Sequence, residues 1–540
     1  MAMTRRTVLN AMAQLGGAGA VYETLAIWDF LKPVPATAAS LKLPADAGTG
    51  RTVSVLGAGV SGLCAAYELD RAGFDVVILE PQRRVGGRSF TLRKGDSFQE
   101  MGDSPRQVCQ YDEGLYLNAG PGRIPHTHVR VIDYCRQFGI ALEPYIFASR
   151  ANLIHSSTLG NGRTIQVRQA YYDLQGHVAE LLDKCIAKPA LDEPISPTDL
   201  QALHEMLVIF GNLTKVERAG KVSWSYQNQA GRAGYEERPG YGGFAGKPLS
   251  PLKLEEILRS NVWNTWIFRD AVPYWQTSLM EPAGGMDMFP KGFARQPLTR
   301  QAGTIDGLIR YGAKALEIDV RSDKVAVLYD DAGTHRTLET DYCICAIPMP
   351  IFKDMKTNLP AEVMRAAANL PILDAGKVGW QAERFWEIND QIYGGISWTD
   401  DIIDQVWYPS SGFLSTKGTI TGAYMRGEPA QRFNKLAVAE RLRLSREGGE
   451  KLHPGVFSKL VEHGLAIGWG NMEHARHGWA DETNPRYSAN ADILAKSQGR
   501  FKLAGDHTTF MPGWQEGAVL GAWEAVKYID RQVNPTASRG

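Results

Sequence analysis

A glycine-rich loop with chemically useful spacing lies near the start of the chain, as Gly57-Ala58-Gly59-Val60-Ser61-Gly62. The apolar residues 52–56 before it predict a short buried strand, and an apolar pattern with helical periodicity follows it. Glycines at this spacing allow a tight turn, a close approach of backbone to a pyrophosphate, and close packing of helix on strand. A second predicted strand, 75–79, ends at Glu80, where a carboxylate holds a ribose hydroxyl. These features together predict a dinucleotide-binding site.

A second pair of glycines follows Glu80, in the segment Arg84-Val85-Gly86-Gly87-Arg88. Adjacent glycines let backbone amides reach a second phosphate or a ribityl chain, and the arginines add positive charge. The segment resembles the RxGGR signature of flavoproteins related to amine oxidases, which NAD dehydrogenases do not usually carry. It therefore favours FAD over NAD as the dinucleotide.

The composition limits the classes of protein that could carry such a site. The chain has 540 residues, 44% of them hydrophobic, with 59 Lys and Arg against 59 Asp and Glu. A formal charge of zero argues against nucleic-acid partners and against binding to anionic membranes. Six cysteines cannot form a disulfide scaffold, and no apolar run is long enough for stable membrane insertion. We expect a soluble enzyme with the length of three or four domains.

The first 50 residues are typical of an address signal. Arg5 and Arg6 precede a mildly apolar stretch, 11–22, and Ala36-Thr37-Ala38 offers small residues at the spacing of a cleavage site. This resembles a twin-arginine export signal, which carries proteins that are already folded around a cofactor. We therefore expect a periplasmic or secreted protein. The alternative is an ordinary N-terminal helix on a cytoplasmic protein.

From about residue 51 to 530 the chain resembles the flavin amine-oxidase superfamily, and within it the bacterial L-amino-acid oxidases. The resemblance is carried by Gly284-Gly285-Met286-Asp287, by a strand-like segment at 501–506 and by the segment 512–519. It implies an α/β (mixed α+β) fold. A Rossmann-like FAD-binding domain of the amine-oxidase/glutathione-reductase type is joined to a β-sheet substrate domain and a helical insertion.

The resemblance also implies domains that are discontinuous in sequence. After the signal-like segment 1–50, we expect the FAD-binding domain to comprise residues 51–115, 284–370 and 490–534. The substrate-binding domain is expected at 116–150 and 371–489, and the helical insertion at 151–283. Within that insertion, we expect the aromatic segment 263–275 to serve core packing, the alternative being that it reaches the side-chain pocket. We expect His204, like His463 and His507 elsewhere, to be a surface or packed side chain.

The FAD contacts implied by the resemblance come from the two glycine segments, from the middle of the chain and from its closing segment. They are Gly57, Gly59, Ser61, Gly62, Glu80, Arg84, Gly87, Arg88, Gly120, Pro121, Gly122, Arg123, Val320, Gly505, Asp506, Gly513, Trp514 and Ala518. The cysteine that tethers flavin in monoamine oxidases lies in the C-terminal portion, whereas all six cysteines here lie before residue 346. We therefore expect FAD to be bound non-covalently. Cys343 and Cys345 are expected to be buried.

An enzyme that oxidises an α-amino acid must hold its carboxylate, and a planar guanidinium does so with two parallel hydrogen bonds. The segment 120–125, Gly-Pro-Gly-Arg-Ile-Pro, resembles the family segment GPMRxP, which assigns the carboxylate to Arg123. Trp407-Tyr408-Pro409 resembles the segment whose tyrosine hydroxyl contacts the same carboxylate, which is Tyr408 here. By the same resemblance, the carbonyl of Gly513 accepts a hydrogen bond from the substrate amine, and Trp514 is an aromatic wall of the catalytic site.

Lys377 resembles the lysine that holds a water near flavin N5 in this superfamily, and it is the second expected catalytic residue with Trp514. The implied reaction is oxidative deamination of an L-amino acid, by hydride transfer from Cα to flavin N5. The imino acid is then hydrolysed to a 2-oxo acid and ammonia, while dioxygen reoxidises the flavin and gives hydrogen peroxide. The implied partners are an L-amino acid and O2, and the implied assembly is a homodimer or higher homo-oligomer.

Three alternatives stay open at this point. An amino-acid 2-monooxygenase would decarboxylate the substrate to an amide, and Arg123 and Tyr408 fit it equally well. An amine oxidase would act on substrates without a carboxylate. A non-catalytic binding or escort protein could reuse the same fold.

Overall fold

One half of the fold is built around a five-stranded parallel sheet, which we call the nucleotide sheet. In spatial order its strands are Ile309–Tyr311, Asp75–Glu80, Thr52–Leu56, Tyr342–Cys345 and Phe501–Leu503. Val55 and Leu56 are both fully buried although they point to opposite faces. A parallel sheet covered on both sides explains why its strands read as continuous apolar runs.

The computed structural model describes residues 41–186 and 195–535 of the chain. The expected export signal at Arg5 and Arg6 lies outside these described residues. Helices Val60–Arg71, Met288–Ala294 and Gln515–Val533 cover one face of the nucleotide sheet. A four-stranded sheet and two helices cover the other face: Thr334–Thr340, Val325–Asp331, Ala313–Val320, Lys356–Thr357, Ala361–Asn369 and Tyr487–Ala495.

The other half of the fold is built around a seven-stranded sheet, which we call the substrate sheet. In spatial order its strands are Ile165–Gln166, Leu153–His155, Gly395–Thr399, Gln405–Tyr408, Lys417–Arg426, Ala375–Glu383 and Val461–Gly468. Helices Phe385–Asp390, Gly427–Asn434, Val438–Leu452 and Phe457–Leu460 back this sheet. Its central strands are buried on both faces, so hydrophobic alternation does not reveal which side of each strand meets the site.

Short strands connect the two halves. They form one three-stranded sheet, Ile124–Pro125, Leu279–Pro282 and Leu142–Tyr145, and three pairs, Thr91–Arg93 with Tyr116–Asn118, Ser97–Phe98 with Gln107–Val108, and Ile372–Leu373 with Trp479–Ala480. Helix Val129–Gln137 packs on the same face of the nucleotide sheet as Gln515–Val533, and helix Met349–Phe352 packs on the other face.

The segment expected to be a helical insertion contains helices Val167–Ile186, Pro197–Gly211 and Leu254–Ser260. It also contains two antiparallel hairpins, Leu213–Arg218 with Lys221–Tyr226 and Tyr235–Glu237 with Lys247–Pro248. The helix at Pro197 begins where it does because the Ser196 side chain accepts a hydrogen bond from the amide of Asp199 and proline occupies the first turn.

Among the described residues, no helix is both long and apolar enough to cross a membrane. The same part of the chain holds no group of three His, Cys, Asp or Glu side chains arranged to bind a metal ion. Cys343 and Cys345 are fully buried, as expected from the sequence.

Candidate active site

A cavity of about 670 Å³ extends from the edge of the nucleotide sheet to the face of the substrate sheet. Most of the residues expected to contact cofactor or substrate line it: Gly57, Gly59, Ser61, Glu80, Gly87, Arg88, Gly120, Pro121, Gly122, Arg123, Lys377, Gly505, Asp506, Gly513, Trp514 and Ala518. Gly62, Arg84, Val320 and Tyr408 lie outside its wall. The cavity therefore brings the two halves of the predicted site together.

The glycine loop has the shape of a phosphate cradle. A Cβ on Gly62 would lie 1.9 Å from the carbonyl oxygen of Gly57, so this glycine lets the helix begin directly against the loop. A Cβ on Gly59 would meet nothing within 4 Å, because that position faces the open cavity. The Oγ of Ser61 is buried without a hydrogen-bond partner. Open space, a helix N-terminus and an unsatisfied hydroxyl fit a pyrophosphate.

Glu80 closes the loop from the second strand. Its carboxylate accepts hydrogen bonds from the amides of Ala58, at 2.8 Å, and Gln82, at 2.9 Å. Burial raises the pKa of Glu80, and these two amides act in the opposite direction. These bonds fix the carboxylate at the cavity wall, in the position where the sequence predicts a group that binds a ribose hydroxyl.

The two arginines of the second glycine segment have different positions. Arg84 donates to the carbonyl of Gly87 at 2.8 Å and stacks on the ring of Phe90 at 4.0 Å, away from the cavity. The expected direct contact of Arg84 with the cofactor is therefore not supported by its position, since its guanidinium braces the loop from behind. Arg88 lines the cavity and forms an ion pair with Asp506.

Asp506 links the closing segment to this loop. Besides pairing with Arg88, it accepts a hydrogen bond from the amide of Gly513 at 2.7 Å. Burial opposes its ionisation, but Arg88 and His507 hold the pKa of Asp506 below its usual value. One buried carboxylate thereby fixes the backbone that leads into Trp514.

Val320 was expected to contact the cofactor, and the structure corrects this. It is the last residue of the strand Ala313–Val320, and its amide donates to the side chain of Asn358 at 2.9 Å. The same strand meets the cavity at its other end, through Lys314 and Ala315. Val320 thus lies at the end of this strand that is away from the cavity.

The guanidinium of Arg123 lies in a box of aromatic rings. Its Cζ is 3.7 Å from the ring centroid of Trp275, 5.3 Å from Trp407 and 5.9 Å from Trp514. Arg123 is 8% exposed and its Nε has no hydrogen-bond partner. No Asp or Glu of the described residues lies within ion-pair distance of it. Burial lowers the pKa of Arg123, but guanidinium stays protonated in proteins. The box is therefore a site for an anion.

Lys377 lies beside this box on the strand Ala375–Glu383. Its Nζ donates to the carbonyls of Asn118, at 2.8 Å, and Gly120, at 2.6 Å. Burial, followed by the charge of Arg123, lowers the pKa of Lys377 to about 7. An ammonium group carries three donors, so one N–H is left by these two bonds for a further partner.

Tyr408 was expected to bind the substrate carboxylate, and the structure places it elsewhere. Its hydroxyl lies 2.8 Å from Oγ of Ser397 and 2.7 Å from Nε2 of His453, within the core behind the substrate sheet. Adjacent residues of a strand point to opposite faces, so its neighbour Trp407 faces the cavity instead. On the substrate sheet, Tyr424 lines the cavity, and its ring centroid is 4.6 Å from that of Trp407.

Sequence reasoning also missed part of the wall that comes from the insertion. Core packing was preferred for the segment 263–275 over a place at the side-chain pocket, but Arg269, Tyr274 and Trp275 line the cavity. The density of aromatic residues there was the available signal. His507, expected to be a surface or packed histidine, is buried and also lines the cavity.

Gly122 stands where the family segment GPMRxP has a methionine, and the packing around Gly122 explains this difference. A Cβ at Gly122 would lie 2.8 Å from the Cζ3 atom of Trp407. The indole thus occupies the space that a side chain at position 122 would need. Trp407 can approach Arg123 closely because residue 122 is a glycine.

The sequence model described as flavin containing amine oxidoreductase matches residues 60–530. The chain belongs to this flavin amine oxidoreductase family. The flavin-dependent L-tryptophan oxidase of Lentzea aerocolonigenes is 26% identical over 497 residues, covering 89% of this chain and 98% of the relative. The L-amino-acid oxidase of Protobothrops flavoviridis is 24% identical over 500 residues, covering 89% of this chain and 88% of the relative.

Two solved structures of amine oxidases share the fold. Cyclohexylamine oxidase from Brevibacterium oxydans IH-35A superposes with a TM-score of 0.57 at 17% identity, covering 90% of this chain and 99% of that one. Putrescine oxidase superposes with a TM-score of 0.54 at 16% identity, covering 89% and 98%. The expected fold class, the resemblance to L-amino-acid oxidases and the assignment as an FAD-dependent oxidoreductase are confirmed.

Proposed function

We propose that this flavin amine oxidoreductase catalyses the oxidative deamination of L-amino acids to 2-oxo acids, ammonia and hydrogen peroxide. The observation that carries the proposal is the buried guanidinium of Arg123, which shares one cavity with the nucleotide cradle and lacks a carboxylate partner among the described residues. A substrate carboxylate would supply that counter-charge. An amine without a carboxylate would leave the arginine buried and unpaired, which is costly.

The residues at the nucleotide end fit FAD held without a covalent bond. The Gly57–Gly62 loop would hold the pyrophosphate, Glu80 a ribose hydroxyl, and the backbone fixed by Asp506 the region near the flavin ring. No cysteine is among the described residues that line the cavity, and this supports non-covalent binding. When bound there, FAD accepts a hydride from the substrate and passes the electrons to dioxygen.

At the substrate end, the side chains would orient the amino acid. Arg123 would hold the carboxylate with two hydrogen bonds, and Tyr424 lines the same wall. Trp275 and Trp514 would exclude water from the substrate backbone, and the carbonyl of Gly513 would accept from its amine. No side chain in this wall needs to act as a base if the amine arrives neutral. The contribution of these residues is then positioning.

Lys377 would act on water or dioxygen. Two of its N–H bonds are directed to the carbonyls of Asn118 and Gly120, which fixes the ammonium group in the cavity wall. The remaining N–H would hold a water or stabilise negative charge as oxygen is reduced. This role requires the protonated form, which the lowered pKa of about 7 makes sensitive to pH.

A product assay tests the proposal. The FAD-loaded enzyme is supplied with each of twenty L-amino acids, their D-forms and the matching decarboxylated amines, and peroxide, 2-oxo acid and amide are measured separately. We expect peroxide and 2-oxo acid in equal amounts from L-amino acids. An amide product with loss of CO2 would identify a 2-monooxygenase, and faster oxidation of the amines would identify an amine oxidase. A holoenzyme that no substrate bleaches anaerobically would have a non-catalytic role.

We also propose export by the twin-arginine route and assembly as a homodimer or higher homo-oligomer. Arg5, Arg6 and the small residues 36–38 support the first, and the resemblance to L-amino-acid oxidases supports the second. Replacing both arginines by lysine should retain the protein in the cytoplasm. Light scattering of the purified holoenzyme should give at least twice the mass that the same sample shows for its single polypeptide under denaturing conditions.

A further inference from the structure

The substrate end of the cavity carries more positive charge than one α-carboxylate needs. Four basic side chains line it: Arg123, Arg269, Lys377 and Arg426. Within the described ranges, the carboxylates that line the cavity are Glu80, Glu482 and Asp506. Glu80 is held by backbone amides and Asp506 by Arg88, both beside the nucleotide loop. Of the four basic groups, Arg123, Lys377 and Arg426 have no carboxylate within ion-pair distance among the residues that the structure describes.

The strand register places Arg426 beyond the proposed α-carboxylate site. Tyr424 pairs with Lys377 on the neighbouring strand, and Arg426 pairs with Ala375 two residues further along. Residues two apart on a strand share a face and are separated by about 7 Å. Tyr424 and Arg426 both line the cavity, as this alternation requires. The wall therefore continues from the aromatic box to a second cation.

The surroundings of Arg426 do not contain an ion-pair partner. No carboxylate within the part of the chain that the structure describes lies at ion-pair distance from Arg426. The nearby acid is Asp404, whose side chain accepts a hydrogen bond from Gln405 at 3.0 Å. Burial raises the pKa of Asp404, while Arg426 and Arg269 act to lower it. Asp404 does not line the cavity, whereas Arg426 does.

Arg269 approaches the same space from the insertion. Its Cζ lies 4.9 Å from the ring centroid of Trp275, the ring that also stacks on Arg123. Arg269, Arg426 and Tyr424 all line this cavity. Burial raises the pKa of Tyr424, while the neighbouring arginines act to lower it. Three arginines thus face a single aromatic-walled space, with Arg123 the most deeply buried of them.

We propose that Arg426 and Arg269 form a second anion subsite, which makes L-amino acids with an acidic side chain the preferred substrates. The inference rests on the proposed function, since it assigns the α-carboxylate to Arg123 and the side-chain carboxylate to Arg426. Neutral isosteres leave the second cation without a partner, and a basic side chain is repelled. L-Glutamate and L-aspartate are the test members of the class.

Steady-state oxidation by the holoenzyme separates the possibilities. We expect kcat/KM for L-glutamate or L-aspartate to exceed that of L-glutamine or L-asparagine by at least tenfold. Arg426→Leu should abolish this preference, so that the acid-to-amide ratio falls by at least tenfold. The matched control is Arg432→Leu, because Arg432 is a nearby arginine with a 64% exposed side chain that pairs with Glu428 outside the cavity. That control should leave the ratio unchanged.

A binding measurement supplies a readout that does not depend on turnover. Glutarate, followed through the absorbance of bound flavin, should bind the wild type at least tenfold more tightly than Arg426→Leu. Oxidation of neutral L-amino acids with rejection of the acidic ones would overturn the inference and leave the proposed function standing. Equal losses on L-glutamate and L-glutamine in Arg426→Leu would also overturn it. Absence of oxidation with all L-amino acids would overturn the proposed function itself.

Discussion

The two ends of the cavity are built in different ways. At the nucleotide end, consecutive residues of one loop, Gly57 to Gly62, form the cradle through their backbone. At the substrate end, Arg123, Trp275, Tyr424 and Trp514 come from four separate segments and act through side chains. The first arrangement depends on local conformation, and the second depends on how sheets and the insertion are registered. This difference explains why the nucleotide end could be predicted from the sequence and much of the substrate end could not.

The largest expected effect comes from disturbing the local arrangement. Gly62→Ala places a Cβ 1.9 Å from the Gly57 carbonyl, so the loop must move. We expect FAD affinity to fall by at least 100-fold, and the apoprotein to lose about 1–3 kcal/mol of unfolding free energy. The control is Gly59→Ala, whose Cβ meets no protein atom. It should weaken FAD binding without changing apoprotein stability in a denaturant titration. A wild-type FAD affinity in Gly62→Ala would contradict the assignment of this loop as the phosphate cradle.

A second prediction concerns the charge at the substrate end. Lys377 is protonated below its lowered pKa of about 7 and neutral above it, so a step that needs its ammonium should slow as pH rises through about 7. Stopped-flow reoxidation of the pre-reduced holoenzyme by dioxygen isolates that step from amine ionisation. In Lys377→Met we expect reoxidation at low pH to be about 100-fold slower and independent of pH in this range. A wild-type rate that rises through pH 7 would contradict this role.

The smallest expected effects separate two tyrosines on opposite faces of the substrate sheet. Tyr424→Phe removes a cavity hydroxyl and should raise KM about fivefold, the loss of roughly 1 kcal/mol. Tyr408→Phe leaves Ser397 and His453 without their buried partner, so it should cost about 1–3 kcal/mol of unfolding free energy and keep KM within twofold. Thermal unfolding and steady-state kinetics on both variants check the pair. The opposite pattern would restore Tyr408 as the substrate ligand.

The nucleotide end was predictable because its signals are local. The glycine spacing, the apolar strands and Glu80 lie within 30 residues, and the structure arranges them as expected. Gly505, Asp506 and Trp514 could be placed only through the family resemblance. Both routes identified segments that reach the cavity.

The substrate end was less predictable, because strand orientation is a tertiary property. All four residues of Gln405–Tyr408 are buried, so alternation could not distinguish Trp407 from Tyr408. A bulge between Val378 and Gly379 also shifts the register of the neighbouring strand. Arg426 belongs to no motif that could be identified in the sequence. Its place on the substrate sheet follows only from its pairing with Ala375 in the structure.

The role of Arg123 is the central claim, and a paired substrate measurement tests it most directly. For the wild type and Arg123→Ala with matched FAD content, kcat/KM is measured for the best L-amino acid and for its decarboxylated amine. Removing one member of a buried charged pair costs about 2–5 kcal/mol, so the variant should lose roughly 30- to 4,000-fold on the amino acid. The amine should lose far less, and the amino-acid-to-amine ratio should collapse. An unchanged ratio would contradict the carboxylate clamp.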